Sequence, residues 1–136
     1  MLGKVEMFEI DQFYPDEAWI FFKLNSVSVP TEQDGNFDVF CVMEASSQII
    51  FATEFISVGS AEPSILESKR MYKQALSQTK THPKTLIVSI EQESQNFINE
   101  ALKNKVSIVT APESALMIFI KEARDGFYNH VIRGQR

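Results

Sequence analysis

Cysteine is nearly missing from this chain: Cys41 stands alone among 136 residues, so no internal disulfide can form. That excludes a disulfide-stapled secreted module and makes a cytoplasmic protein the simplest expectation. Histidine is almost as scarce, and neither His82 nor His130 has a second His or Cys at ligand spacing, which argues against a zinc site. With 5 glycines and 5 prolines the chain is too poor in both for a low-complexity or collagen-like segment. No apolar run approaches the roughly 20 residues a membrane-crossing helix needs. The start, Met1 to Glu6, lacks the apolar region and cleavage site of a signal peptide. There is no phosphate-binding P-loop, Gly-rich dinucleotide fingerprint or G-x-S-x-G elbow, so no cofactor is expected.

What the chain does have is core-forming material. Its 44% hydrophobic and 11% aromatic residues suit an ordered globular protein, and the length suits a single domain over residues 1–136. Net charge is −5, unevenly spread: residues 1–60 hold ten acids against Lys4 and Lys23, whereas residues 61–136 hold eight acids and eleven Lys or Arg. Such asymmetry can mark an interaction surface. The best basic run, Lys69, Arg70, Lys73, Lys80 and Lys84, also fits an ordinary solvated helix face, so nucleic-acid binding is not expected.

The apolar patterning gives an element order. "AWIFFKL" (18–24), "FDVFCVME" (37–44) and "QIIFATEFISV" (48–58) are rich in aromatic and β-branched residues and predict strands. "MFEIDQF" (7–13) is a further strand candidate. The short Ala45-Ser46-Ser47 link makes the second and third strands an antiparallel hairpin, and residues 25–36 read as a long loop. The period then changes. Pro63-Ser64 opens a helix to about Gln78, with Ser64 and Glu67 spaced as a capping box and Ile65, Tyr72, Ala75 and Leu76 on its apolar side. "TLIVSI" (85–90) predicts a buried strand. A helix follows over 91–104 with Phe97, Ile98, Ala101 and Leu102 on one face, then a strand at 106–110. A last helix starts at Thr110-Ala111-Pro112-Glu113, buries Leu116, Phe119, Ile120 and Ala123, and ends at Asp125-Gly126. The expected architecture is α/β: a single mixed sheet, an antiparallel meander followed by parallel strands, helices on both faces. Val42, Phe51, Leu86, Val88, Phe97, Leu102, Ile108 and Phe119 are expected to be buried together.

Three antiparallel strands followed by helix, strand, helix, strand, helix resembles the order of the ribonuclease-H-like superfamily, which includes retroviral integrases and transposases. The stretches "FDVFCVMEASSQIIFATEF" and "HPKTLIVSIEQESQNFINEALKNKVSIVTAP" carry the likeness, over about residues 37–125. It implies a divalent-metal nuclease whose carboxylates hold two metals. Carried over by position, Glu44 stands near the first carboxylate and Glu91, in Ser89-Ile90-Glu91, near the second. Glu122 or Asp125 would supply the third. The family's usual Asp-Asn-Gly is absent after the buried strand, which favours a non-catalytic protein.

The remaining candidates have structural readings. Cys41, between Phe40 and Val42, reads as a buried thiol, and Trp19, Phe21 and Phe22 read as core. Glu91 and Glu93 suit the positive end of a helix starting there. Phe127, Tyr128, Val131 and Ile132, after Gly126, must pack back on the domain or meet another chain. The function expected is therefore protein–protein contact, with a protein partner or as a homodimer. The alternatives are a divergent nuclease using Glu44, Glu91 and Glu122, or a small acidic inhibitor of immunity type whose partner is basic.

Overall fold

The computed structural model describes residues 2–25, 29–31 and 35–132. Among these residues seven strands form one mixed sheet: β1 (Leu2–Lys4), β2 (Ala18–Lys23), β3 (Val29–Thr31), β4 (Gly35–Glu44), β5 (Ile50–Ser57), β6 (Thr85–Ser89) and β7 (Ser107–Ala111). Three helices, α1 (Ile65–Thr79), α2 (Gln95–Lys103) and α3 (Glu113–Phe127), follow β5, β6 and β7, and a π-helical turn covers Tyr128–Ile132. The spatial order runs β1-β7-β6-β2-β4, and β4 also pairs with β3 and β5. β2, β4 and β5 are antiparallel neighbours, whereas β6 lies parallel to both β2 and β7. The antiparallel first half and parallel second half follow the hairpin link and the helical crossovers.

β2 is the centre of the sheet, and Ala18, Trp19, Ile20, Phe21 and Phe22 are all buried. Successive residues point to opposite faces, so Trp19 and Phe21 enter one core and Ala18, Ile20 and Phe22 the other. α1 and α2 cover the first face, with Met71, Tyr72, Ala75, Phe97 and Ala101. α3 covers the second, with Leu116, Phe119 and Ile120. Apolar residues on both sides of a strand thus correspond to two cores on one sheet. Phe119 accordingly belongs to the opposite core from Phe97. Phe51 is only partly buried, at a register shift beside Val42 and Met43.

Several local expectations are corrected. Residues 7–13 are not a strand: Gln12 N–H donates to the Glu9 carbonyl in a turn. Phe8 and Phe13 instead pack against Phe119, and Met7 and Ile10 are exposed. The strand that joins the sheet near that end is β1, which pairs with β7. Within residues 25–36, Val29–Thr31 pairs with the start of β4, and 26–28 and 32–34 lie outside the described residues. Ile65 is exposed because the buried stripe of α1 falls at Ser68, Met71, Tyr72 and Ala75, the spacing of one helix face. Leu102 is 43% exposed and Ile90, past the end of β6, is 51% exposed. α3 does not stop at Asp125-Gly126 but continues through Phe127.

The capping box is present in full. Ser64 Oγ accepts from Glu67 N–H (3.1 Å) and Glu67 Oε1 accepts from Ser64 N–H (2.8 Å). Ser64→Ala should therefore lower stability by about 1 kcal/mol in urea unfolding, because one helix-end donor loses its partner. An unchanged midpoint would show that α1 is held by its packing alone.

Candidate functional site

The carboxylates that sequence position suggested are not brought together. Trp19 faces Glu44 on β4 and Leu86 on β6. β6 runs on from Leu86, and its three steps to Ser89 alone cover about 10 Å at the usual strand rise. Glu91 therefore lies beyond the opposite end of the sheet from Glu44. Glu44 shares its face with Trp19, the face α1 and α2 cover, whereas Glu122 projects from α3 on the other. Glu122 is exposed along a groove of about 330 Å³ with Met43, Ser47, Ile50 and Phe119. Two-metal catalysis needs carboxylates around ions roughly 4 Å apart, a spacing these three do not approach. Among the described residues no group of three His, Cys, Asp or Glu side chains is placed to hold a metal ion.

Glu44 is committed to the hairpin turn. It is buried, and its oxygens accept from Ser46 N–H (3.0 Å), Ser46 Oγ–H (2.6 Å), Ser47 N–H (3.0 Å) and Asp16 N–H (3.3 Å). Burial pushes its pKa up, but the hydrogen bonds from Ser46 and Ser47 outweigh that and hold it below the ordinary value. The carboxylate closes the turn.

Glu91 has a comparable duty at the far end. It does not begin α2, which starts at Gln95, so neither Glu91 nor Glu93 lies in that helix. Its Oε2 accepts from Ser89 Oγ–H (2.8 Å) and from Glu113 N–H (2.9 Å), capping α3. Those two bonds lower its pKa. No side-chain bond comes from the N-cap of α3, Pro112, so Glu91 supplies the cap from outside the helix. Glu62 does the same for α2, its Oε1 accepting from Asn96 N–H at 2.8 Å. Helix N-termini carry unpaired N–H groups and a partial positive charge, so distant carboxylates serve as caps.

A crevice of about 360 Å³ opens where β2 and β6 end and α3 begins. Asp38, Glu91, Glu93 and Glu113 line it together with Lys23 and Arg124. Arg124 is the residue that sequence reading missed. Its Nε and Nη2 donate to the Lys23 carbonyl (3.1 and 2.9 Å), and Nη2 also reaches Glu113 Oε1 (3.0 Å). Only 12% of its side chain is exposed. Gln92 Oε1 accepts from Lys23 N–H at 2.9 Å, so the end of β2 is held from two sides. The available signal was position: Arg124 lies eleven residues after Glu113, about three helical turns, hence on the same face. The crevice is lined by four acids and two bases, and hydrogen bonds there join the end of β2, the segment after β6 and α3.

The other candidates are structural too. Burial pushes the Cys41 thiol pKa up, leaving it protonated. Tyr72 O–H and His82 Nδ1 are 2.8 Å apart, and burial, with Glu100 nearby, pushes the Tyr72 pKa to about 12. Tyr72 thus stays protonated at neutral pH, and the imidazole tautomer decides which of the two groups donates. Phe127 packs into the α3-side core, and Tyr128 is 51% exposed. The side chains of Val131 and Ile132 lie outside the described residues.

No protein-family model matches the sequence, and no curated protein matches it. Among solved structures the chain is similar to one in the cryo-electron-microscopy structure of the simian T-cell lymphotropic virus intasome in complex with PP2A regulatory subunit B56 gamma. The TM-score is 0.47 and the identity 11%, and the match covers 87% of this chain and 43% of that one. This chain thus spans less than half the length of that neighbour.

Proposed function

We propose that this protein is a non-catalytic, cytoplasmic α/β domain that acts through protein–protein contact, self-association being the simplest form. The observation that carries the reading is the concentration of exposed apolar side chains along β5 and the start of α1. Phe55, Val58, Ile65 and Leu66 are 57%, 44%, 62% and 74% exposed. Phe55 projects on the α3 side of the sheet and Ile65 and Leu66 belong to α1 on the other, so the support is large apolar groups left exposed on both sides of one sheet edge. Among the described residues no helix is long and apolar enough to cross a membrane.

The ribonuclease-H-like scaffold is part of this proposal. Its support is the antiparallel β2, β4 and β5 followed by α1, β6, α2, β7 and α3. On this reading the scaffold is kept without the chemistry, since Glu44 and Glu91 cap backbone N–H groups at opposite ends of the sheet. Incubation with DNA and RNA in magnesium or manganese should give no cleavage. Cleavage abolished by Glu44→Gln or Glu91→Gln would overturn the proposal in favour of a divergent nuclease.

A further inference from the structure

Among the described residues β5 is an edge strand, paired with β4 alone. Two hydrogen bonds fix which way its backbone points. Val58 N–H donates to the Asn36 carbonyl, and Leu24 N–H donates to the Val39 carbonyl. Hydrogen-bonded pairs recur at every second residue of an antiparallel ladder. Even-numbered residues of β4 therefore face β5, while odd-numbered ones face β2. On β5 it follows that Ala52, Glu54 and Ile56 bond inward, and Thr53, Phe55 and Ser57 turn N–H and C=O to the open side. Among the described residues only the Ser57 carbonyl has a backbone partner there, Ser60 N–H at 3.0 Å.

The side chains at this edge are also unguarded. Proteins protect edges with Lys, Pro or inward charges, but Thr53, Phe55 and Ser57 are uncharged and exposed. They share the face of Val39 and Cys41, the side α3 covers, yet Phe55 remains 57% exposed. The only charge on the strand, Glu54, points to the other face, where Arg70 Nη2 holds it at 2.6 Å.

We infer that two copies of this chain join along this edge, β5 against β5 of the second copy, antiparallel about a two-fold axis at Phe55. The inference rests on the protein-contact reading above and names its surface. The register follows from the residues. With the axis at Phe55, the two Phe55 rings face each other, Thr53 faces Ser57 of the second copy, and Glu54 faces Ile56. Aromatic pairs and hydroxyl pairs across strands are favourable, and no like charges oppose. Moving the axis to Glu54 would still pair outward residues with each other, Thr53 with Phe55, but would set two glutamates face to face. Moving it to Thr53 would use Phe51, where the register with β4 shifts. The Phe55 arrangement makes roughly four main-chain hydrogen bonds between otherwise open groups, and two more if each Ser57 carbonyl is shared with Ser60 N–H. It also uses one surface patch twice, as a two-fold contact must.

Light scattering of the full chain at micromolar concentration should show a dimer. Phe55→Lys should weaken it about tenfold or more, since two like charges would meet on the axis. Phe55→Pro should also give a folded monomer, because the N–H it removes is one β5 turns outward. Phe55→Cys should form a covalent dimer on oxidation, as facing Cα atoms of a hydrogen-bonded pair lie about 5.5 Å apart, within disulfide reach. Buried Cys41 does not compete, and exposed Ile49→Cys serves as the control that should not cross-link. A dimer that survives Phe55→Lys and Phe55→Pro would overturn the β5 assignment and leave the contact reading in place. A wild-type chain monomeric throughout would defeat self-association itself, whether or not another protein's strand docks on the same edge.

Discussion

Replacing Phe97 with Ala should lower stability by about 3–5 kcal/mol, the range for truncating a fully buried phenylalanine. Phe97 is wholly buried and stands where α2 meets the sheet. Its ring stacks on Phe21 with centroids 4.3 Å apart and planes only 2° from parallel, and Tyr72 lies 5.9 Å away. Ala at this site would leave a cavity between the central strand and both helices of that face. Such aromatic contacts add about 1 kcal/mol beyond the area they bury. A domain this size has only about 5–15 kcal/mol to lose, so the variant should unfold at much lower urea. Leu102, on the same helix but 43% exposed, provides the internal comparison. Its replacement by Ala should cost well under the Phe97 value. Equal losses at the two sites, or a Phe97→Ala loss below about 1 kcal/mol, would contradict the packing described for α2.

The contrast between Phe97 and Leu102 shows what the sequence made legible. Helical periodicity put Phe97, Ile98, Ala101 and Leu102 on one side, but it cannot say how wide the covered stripe is. That width depends on α1 and the sheet, which bury Phe97 and Ala101 and leave Leu102 at the margin. Likewise the strands covered on both faces were visible in their unbroken apolar runs, and so were the parallel crossovers and the Ser64–Glu67 capping box. β1 was not: three residues that pair with β7, over a hundred positions later, carry no local pattern. Phe8 and Phe13 gave a false strand signal because their apolar character serves packing on Phe119 from a loop. Asp125-Gly126 resembled a helix stop, yet α3 continues because Phe127 has a core to enter.

The site was less legible for a specific reason. Hydrogen bonds from carboxylates to distant backbone N–H groups have no sequence spacing of their own. Glu91 caps a helix that begins 22 residues later, and Glu62 one that begins 33 residues later. A lone acid beside a strand end therefore looks the same whether it will bind a metal or close a helix terminus. Only the partner distinguishes them, and here the partners are amides and serine hydroxyls.

Glu44→Ala should be the strongest test of that distinction, with an expected loss of about 2–3 kcal/mol at neutral pH, the cost of leaving charge-assisted hydrogen bonds unmade. The affected donors are the amides of Ser46, Ser47 and Asp16, together with the Ser46 hydroxyl. The pH dependence follows from the lowered pKa of Glu44. An acid whose folded pKa is depressed adds stability that is fully present above its unfolded pKa, about 4.3. That contribution fades as pH falls from there through the folded value, where both states are protonated. The gap between wild type and Glu44→Gln should thus be constant from neutral pH down to about 5 and then narrow with further acidification. Glu91, also lowered, titrates in the same range but is present in both proteins, so it cancels from the difference. Urea unfolding of the pair across that pH range measures the gap directly. A gap that stays flat through the acid limb, or one that widens, would mean that the Glu44 carboxylate is not what closes the turn.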